Sequence, residues 1–349
     1  MLQKILCIIS ISFLFLCSSG ANALEKCQIC HSKKEIHKAE ETGRKIPLFI
    51  DESILARSVH NDKDCTDCHA DINEIPHQSV KKVNCRRCHY SGNPVGAPEG
   101  QMYDQYEHSV HGLAAVNGNK NAPVCQDCHG AHDVFSHKTI ESKFYWQNIP
   151  KTCGSCHIEV YATYRESSHG RAVADGNQDS PVCSDCHGEH NIKEHGDADS
   201  RVSVSRISQT CTECHGPQGV VNKYNIKTNR TATFEHSFHG IGLQMGNKMV
   251  ANCASCHDYH DIRGEDDPKS SVHPDNIPKT CGKEGCHPGA TAEFASGQQI
   301  HIDPKSEDSG IIYYISKGFL ILTVSVLFGL FAFIIMDLFR RAKNARAKR

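Results

Sequence analysis

The chain has 349 residues, of which 38% are hydrophobic, and its 38 Lys and Arg residues nearly balance its 40 Asp and Glu residues. This balance disfavours a nucleic-acid partner, because nucleic acids bind strongly basic surfaces. The chain also contains 20 cysteines and 24 histidines, so cysteine and histidine chemistry dominates what this sequence can do.

Residues 1–23 have the features of a secretory signal. A short positive start is followed by the apolar run ILCIISISFLFLC, and Ala21-Asn22-Ala23 matches a small-residue cleavage site. The alternative, an uncleaved membrane anchor, is disfavoured because the run is short and ends in that site. We therefore expect the mature chain to begin at Leu24 and to fold outside the cytoplasm.

Residues 24–310 lack the patterns that build an aliphatic core. Turn residues and charges interrupt each apolar run, and no sustained alternation predicts a sheet. A chain of this length normally buries a substantial core, so something other than aliphatic side chains must fill the interior. We expect a mostly α-helical fold with much irregular structure.

Eighteen of the cysteines form nine pairs, and each pair is followed directly by a histidine. Eight pairs have the form Cys-x-x-Cys-His, whereas the ninth, in IPKTCGKEGCH (277–287), has four residues between its cysteines. In chain order, motifs 1 to 9 contain Cys27, Cys30 and His31; Cys65, Cys68 and His69; Cys85, Cys88 and His89; Cys125, Cys128 and His129; Cys153, Cys156 and His157; Cys183, Cys186 and His187; Cys211, Cys214 and His215; Cys253, Cys256 and His257; and Cys281, Cys286 and His287.

Covalent haem attachment requires this order of residues. Two thiols on one turn add to the two vinyl groups of haem, and the adjacent histidine ligates the iron. A zinc site would use the cysteine pairs but needs no histidine directly after each one. Disulfides suit an exported protein but leave the histidines unexplained. The pattern predicts nine covalently attached c-type haems, with the nine motif histidines as proximal iron ligands.

An internal repeat aligns the ninth motif with the others. The first cysteines of neighbouring motifs are 28 residues apart from 125 to 153, from 183 to 211 and from 253 to 281. The letters IPKTCG also occur in both the fifth and the ninth motif. The ninth motif is therefore the same kind of site with two residues looped out between its thiols.

A second set of histidines recurs at fixed positions around the motifs. Ser-x-His elements end at His60, His111, His169 and His239, and QQIH gives a degenerate copy that ends at His301. A histidine also follows three residues after motifs 4, 6 and 8, at His132, His190 and His260, with His77 as a looser counterpart near motif 2. These nine residues equal the motifs in number, so we predict them to be distal ligands. His37 competes with His77, and His108, His137, His195, His236 and His273 fit surface residues or haem-propionate partners.

The apolar run GFLILTVSVLFGLFAFIIM (318–336), with IIYYIS before Lys317, is long enough to cross a hydrocarbon layer of about 30 Å. The basic tail RRAKNARAKR follows and is expected in the cytoplasm. We expect one transmembrane helix in a bacterial inner membrane, with the bulk of the chain in the periplasm. Because this helix contains no histidine, it cannot hold a b-type haem through two histidines, and we expect a separate b-type cytochrome or quinone-reactive subunit as membrane partner.

Residues 24–310 are acidic. Of the 40 acidic residues only Asp337 lies outside this range, and eight of the 38 basic residues do, which leaves nine excess negative charges. We expect periplasmic cytochromes or reductases to dock there through lysine-rich surfaces. The organisation is then a signal over 1–23, a segment with three motifs over 24–107, two-motif repeats over 108–165, 166–235 and 236–310, a membrane helix over 311–337 and a tail over 338–349.

Two imidazoles on each iron would leave no open coordination position, which suits one-electron transfer. The pattern Ser-x-His-Gly…Cys-x-x-Cys-His-x-x-His over 58–301 resembles multihaem c-type cytochromes of anaerobic respiratory chains, especially membrane-anchored periplasmic ones, and the cytochrome c3/c7-like class. The resemblance implies a haem-cored fold of diheme repeats that relays electrons between a quinol-linked partner and periplasmic acceptors. The alternative is an oxidoreductase that acts on a small nitrogen or sulfur oxyanion at one open-site haem, with motif 1 as the candidate.

Overall fold

A computed structural model describes residues 23–39, 45–77, 80–98, 100–224, 226, 230–297 and 300–347. The predicted signal over 1–23 lies outside this range except for Ala23, as do the last two residues of the predicted tail. The chain divides into two compact units, Met1–Cys153 and Gly154–Arg349, here called unit 1 and unit 2.

The described residues are mostly helical, as expected, and nearly all of their helices are short. In unit 1 these are α1 (Ala23–His31), α2 (Glu52–Leu55), α3 (Cys65–Cys68), α4 (Met102–Glu107), α5 (Val110–Val116), α6 (Cys125–His129) and α7 (Ile149–Gly154), which ends at the boundary. In unit 2 they are α8 (Ile158–Glu166), α9 (Ser168–Ala174), α10 (Cys183–His187), α11 (Ile207–His215), α12 (Arg230–Glu235), α13 (Phe238–Gln244), α14 (Cys253–His257), α15 (Ile277–Cys281), α16 (Ala292–Gly297) and α17 (Ile311–Ala347). Single 3-10 turns occur at Cys85–Arg87, Trp146–Asn148, Val220–Tyr224 and Glu307–Ser309.

Unit 1 also contains a small antiparallel hairpin that the sequence did not predict. Strands β1 (His37–Ala39) and β2 (Lys45–Pro47) pair with His37 opposite Pro47. Three residues per strand are too few for an alternating pattern to be recognised in the sequence. The hairpin leads into Leu48, whose carbonyl oxygen contacts the histidine of motif 1.

The interior contains very few aliphatic side chains. Among the described residues, the buried hydrophobic ones are Val173, Val182, Phe234 and Ala254. The most deeply buried side chains are serines, with Ser109, Ser167 and Ser270 at most 1% exposed. Hydrogen bonds of small polar side chains therefore fix the local folds, and the structure agrees with the expectation that aliphatic packing does not form the core.

The same local hydrogen bonds recur along the chain. Ser142, Ser200 and Ser270 are buried, and each donates its hydroxyl to the carbonyl oxygen seven residues earlier. Threonines 152, 210 and 280 each donate to the carbonyl oxygen nine residues earlier, at 2.7–2.8 Å. In each sequence repeat, these bonds lie in the segment that joins the first motif to the second. They fold that segment into the same compact connection in all three repeats.

Helix α17 is the one described helix that is long and apolar enough to cross a membrane. Its apolar side chains are exposed throughout. At its C-terminal end Asp337 forms ion pairs with Arg340 and Arg341 at 3.0 and 2.6 Å. At its N-terminal end Lys317 lies over the Tyr313 ring, 5.2 Å from its centre. Aromatic and basic residues thus flank the apolar stretch, as is typical of membrane-spanning helices.

Candidate functional site

Motifs 2, 4, 6 and 8 each begin a helix at their first cysteine. The residue just before the first cysteine donates its backbone N–H to the side chain of the residue two positions after that cysteine. The accepting side chains are those of Asp67, Asp127, Asp185 and Ser255. Such a bond satisfies one N–H group that a helix start leaves without an intrahelical partner. The residues between the cysteines therefore set the turn that brings two thiols and a histidine together.

Motifs 5, 7 and 9 lie instead at the ends of helices that begin earlier, α7, α11 and α15. Each of these helices starts at an isoleucine and carries the threonine that ties it back to the preceding connection. In each sequence repeat, the first motif therefore lies at the start of one short helix, and the second motif lies at the end of another. The motif letters alone do not show this difference.

The Ser-x-His-Gly elements are sharp starts of new helices. In the element around His169, the Ser167 hydroxyl donates to the Tyr164 carbonyl oxygen at 2.7 Å and accepts the Gly170 N–H at 3.0 Å. A Cβ on Gly170 would lie 2.0 Å from that same carbonyl oxygen. Serine and glycine are therefore needed to fold one helix directly onto the next, with the histidine held at the junction. The elements of His111 and His239 have the same bonds, formed by Ser109 and Ser237.

Seven motif histidines each lie beside one histidine from elsewhere in the same unit. The ring centres of each pair are separated by 6.0–6.3 Å. The pairs are His31 with His77, His69 with His132 and His89 with His60 in unit 1, and His187 with His260, His215 with His169, His257 with His301 and His287 with His239 in unit 2.

This spacing matches two imidazoles on opposite sides of one metal ion. An imidazole nitrogen lies about 2.0–2.1 Å from a metal and roughly 1.1 Å from its own ring centre, so two opposed rings would be about 6.2–6.4 Å apart. No group of three or more His, Cys, Asp or Glu side chains within the described ranges is arranged to hold a metal ion. An ion between two imidazoles would therefore take its other ligands from a cofactor.

Hydrogen bonds orient at least two of these rings. Nδ1 of His31 lies 2.7 Å from the Leu48 carbonyl oxygen, and Nδ1 of His301 lies 2.9 Å from that of Arg230. Because a carbonyl only accepts, each Nδ1 must carry the proton, and Nε2 keeps its lone pair. A ring fixed in this way is the arrangement that metal-ligating histidines usually have.

Burial keeps many of the paired imidazoles neutral. It lowers the pKa of His169 to about 4, with a smaller contribution from the neighbouring His215, and it lowers the pKa of His257 to about 4, with His301 contributing next. Burial is also the main cause that lowers the pKa of His60, His69, His132, His187, His215, His239, His260 and His301. Neutral imidazole is the form that ligates a metal.

The thiols show which motifs are neighbours. Burial, followed by the adjacent Cys27 thiol, raises the pKa of Cys65 to about 11. The Cys125 thiol raises the pKa of Cys85, and the Cys253 thiol raises that of Cys211. Motifs 1 and 2, 3 and 4, and 7 and 8 are therefore in contact through their first cysteines.

The widened ninth motif keeps the geometry of its histidine. The His287 N–H reaches back to the Cys281 carbonyl oxygen at 3.0 Å, and the extra residues form a turn that ends at Gly285, where φ is +80°. Lys283 at the tip of this turn donates to the Ser255 carbonyl oxygen of motif 8 at 3.1 Å. Phe294 packs 5.1 Å from the His287 ring and lines a cavity of about 360 Å³ with residues 286–291. The loop thus contacts the preceding motif.

The outcome for the distal set can be stated residue by residue. The structure places His60, His77, His132, His169, His239, His260 and His301 next to a motif histidine. The distal role of these seven residues, and of His111 and His190, stays a prediction, as does the proximal role of the motif histidines, including His129 and His157. His129 stacks on Phe144 at 4.4 Å. His37, His108, His137, His195 and His236 are exposed, and the half-buried His273 lies 3.6 Å from Asp275.

Two roles differ from those expected from the sequence. Motif 1, which has no partner in the repeat, has His77 beside its histidine with the rings nearly parallel, at 8°. His301 pairs with motif 8 of its own repeat, whereas His132 and His260 pair with motifs 2 and 6, which precede their repeats. All three partners are motifs that begin a helix, although the letters of His301 resemble the Ser-x-His class. The capping residues Asp67, Asp127 and Asp185 were not singled out from the sequence, although an acidic residue at a fixed place between paired cysteines could have indicated them. No family model, curated protein or solved structure matches this chain.

Proposed function

We propose that this chain is an electron-transfer protein that binds nine c-type haems covalently and relays electrons between a quinol-linked inner-membrane partner and periplasmic acceptors in anaerobic respiration. The observation that carries the proposal is the set of seven imidazole pairs, each of which joins the histidine of one of the nine motifs to a second histidine at the spacing of two opposed metal ligands. Random packing of histidines would not select one motif histidine for each pair.

The residues of this chain would hold the cofactors in three ways. The paired cysteines would form the thioether bonds, and the motif histidine and the second histidine would ligate the iron. When bound, haem supplies one-electron redox chemistry at iron. The protein contributes the fixed ligand geometry described above, so that no ligand has to move when the charge of the site changes. Such rigidity lowers the reorganisation that accompanies electron transfer.

The proposed architecture is a series of diheme repeats behind an N-terminal three-haem segment. The recurring serine and threonine bonds support a common repeat fold. Contacts between neighbouring motifs support an arrangement in sequence order within each unit. Besides the first-cysteine contacts, the thiol of Cys88 influences Cys68, that of Cys214 influences Cys186, and that of Cys281 influences Cys256.

The proposed location is the periplasmic side of a bacterial inner membrane, with α17 as the anchor and the basic tail in the cytoplasm. Support comes from the apolar helix and from the charge asymmetry around it. A purified, detergent-solubilised chain should not oxidise a menaquinol analogue at respiratory rates by itself, because we propose that the quinone site lies in a separate b-type or quinone-reactive subunit. Rapid oxidation by the chain alone would contradict this part of the proposal.

The enzyme alternative needs one haem with an open coordination position. Motif 1 was its best candidate, but His31 has His77 at 6.0 Å. This pair favours electron transfer over substrate chemistry at that site. The two functions are separated by ligand binding, because an open haem is high-spin and binds CO, nitrite or cyanide, whereas an iron with two imidazoles does not.

The proposal is tested by producing the full chain in a bacterium that matures c-type cytochromes. We expect nine haems per chain by mass spectrometry and by the pyridine haemochrome spectrum, together with low-spin EPR signals that titrate with potential. Replacing both cysteines of motif 6, Cys183 and Cys186, with alanine should reduce the count by one, whereas replacing Ser184 between them should not. A chain that matures with zinc or with disulfides at these cysteines would refute the proposal.

A further inference from the structure

At two places in the described chain, a residue beside a Ser-x-His histidine is bonded to a later repeat. The residue just before a Ser-x-His histidine donates its backbone N–H to a carbonyl oxygen. That oxygen belongs to the residue two positions after a histidine of the second class, the one that follows a motif by three residues. Val59 donates to Val134 in this way, and Ser168 donates to Ile262, both at 2.8 Å. The corresponding residue of the repeat over 236–310 is Phe238.

The side chains around Phe238 form an exposed apolar surface. Phe238, Ile241 and Met245 are spaced to share one side of α13 and its C-terminal end, and they are 92, 41 and 81% exposed. Met249 follows and is 84% exposed. We call these four residues the terminal apolar face. A side chain as large as phenylalanine is seldom this exposed without a partner, and clustered exposed apolar residues mark interaction sites.

The preceding repeat shows that the repeat fold does not require an apolar face there. Seventy positions earlier the equivalent residues are Ser168, Arg171, Asp175 and Asp179. Arg171 lies 3.7 Å from Asp267, and Asp179 accepts hydrogen bonds from Lys223 and Tyr224. In that repeat the face is polar and bonded within the protein. The first repeat has Val110, Leu113, Asn117 and Asn121 at the same positions, so Met245 and Met249 are the apolar residues particular to the last repeat.

The terminal apolar face is close in the chain to the membrane helix. Nδ1 of His301 is bonded to the Arg230 carbonyl oxygen at the start of α12, and α12 leads directly into α13. Only residues 302–310 separate His301 from α17, which limits their span to about 35 Å. Residues 311–317 of α17 rise about 10 Å above the apolar run, whereas a headgroup layer is about 5–7 Å thick. If α17 crosses a membrane, the folded part of unit 2 is therefore held within about 35 Å of the membrane surface.

We propose that the terminal apolar face is a membrane-contact site that inserts into the headgroup layer of the bilayer crossed by α17. This inference rests on the proposed membrane anchoring. A lipid surface is favoured over a soluble partner because the anchor would tether the face within reach of the bilayer. In addition, an exposed Phe, Ile and Met cluster flanked by Lys248 has the composition of interfacial segments. The contact would hold His239, which lies on α13 beside His287, near the membrane partner.

The test uses the full-length, haem-loaded chain in lipid nanodiscs that contain a phospholipid with a photoreactive headgroup. After illumination and digestion, labelling is measured on residues 238–249 and on the matched segment 168–179. We expect the first segment to be labelled more than about fivefold more strongly. The variant F238S/I241R/M245D, which installs the residues of the preceding repeat, should reduce labelling to the level of 168–179. The control Val116→Asp, which removes another exposed apolar side chain, should leave labelling unchanged.

Three results would overturn the inference. The first is equal labelling of the two segments, and the second is labelling that the triple variant does not reduce. The third is cross-linking of residues 238–249 to a second chain or to a protein partner instead of to lipid. Haem count and membrane retention are measured on the same samples. Loss of haem or of retention in the unaltered protein would contradict the proposed function itself, whereas a fully loaded, membrane-bound protein without lipid labelling would refute only the contact site.

Discussion

Gly240 controls the position of a predicted distal ligand, and its replacement by alanine gives a direct test of the ligand geometry. Gly240 follows His239 in α13, where the chain folds sharply back on α12. A Cβ at this position would lie 2.1 Å from the Phe234 carbonyl oxygen and 2.7 Å from the Glu235 Cα, whereas ordinary contact begins at 3.4 Å. Both obstructing atoms belong to the backbone, so no side-chain rotation relieves the overlap.

The overlap gives the size of the expected effect. Restoring an ordinary contact with the carbonyl oxygen requires a shift of about 1.3 Å, and His239 must move with its neighbour. The His239 and His287 ring centres are 6.1 Å apart, and a metal–imidazole bond of about 2.0 Å does not tolerate an increase of this size. We therefore expect one of the nine haems to lose its distal ligand.

The assay is EPR spectroscopy combined with CO binding. Gly240→Ala should convert about one ninth of the haem signal from low-spin to high-spin, and one CO should bind per reduced chain. Gly264→Ala serves as the control, because a Cβ there has no neighbouring atom within 4 Å. A variant that carries nine haems, all of them low-spin, would refute the proposed role of His239 as a ligand.

The remaining predictions concern stability, potential and ligand identity. Asp258 has φ 68° and ψ 176°, and the equivalent Gly188 has φ 84° and ψ 179°. Asp258→Gly should therefore relieve about 1–3 kcal/mol of backbone strain, of which the greater entropy of the unfolded chain offsets a part. The thermal midpoint in calorimetry should rise, and an unchanged or lower midpoint would contradict the strain. Lys283→Gln removes a positive charge held against motif 8. This loss should lower one haem potential by on the order of tens of millivolts in a spectroscopic redox titration. An upward shift would contradict an electrostatic effect of Lys283 on that haem. His77→Ala should create one high-spin, CO-binding haem and His37→Ala none, and the opposite result would make His37 the ligand.

The attachment motifs could be read from the sequence because their chemistry is local. Two thiols and one histidine close together in the chain would contact the same cofactor, so their spacing is visible without any tertiary information. The 28-residue register even identifies the widened motif that contains Lys283 and Glu284. The membrane helix is equally local, since length and composition are enough to recognise it. The distal histidines were also found by recurrence, although without their partners.

Tertiary structure decided which histidines meet. His260 lies beside His187 and His301 beside His257, and each pair joins residues that are distant in the chain. The pair of His187 and His260 joins two repeats, which are also linked by the bond from Ser168 to Ile262. His257 and His301 instead belong to one repeat and meet because the chain folds back on itself, and no periodicity encodes either pairing. The sequence by itself thus determined which residues are candidates to attach and bind a cofactor, because those patterns are local. Only the tertiary structure, through contacts within and between repeats, decided which histidines lie side by side and left the apolar residues around Phe238 exposed.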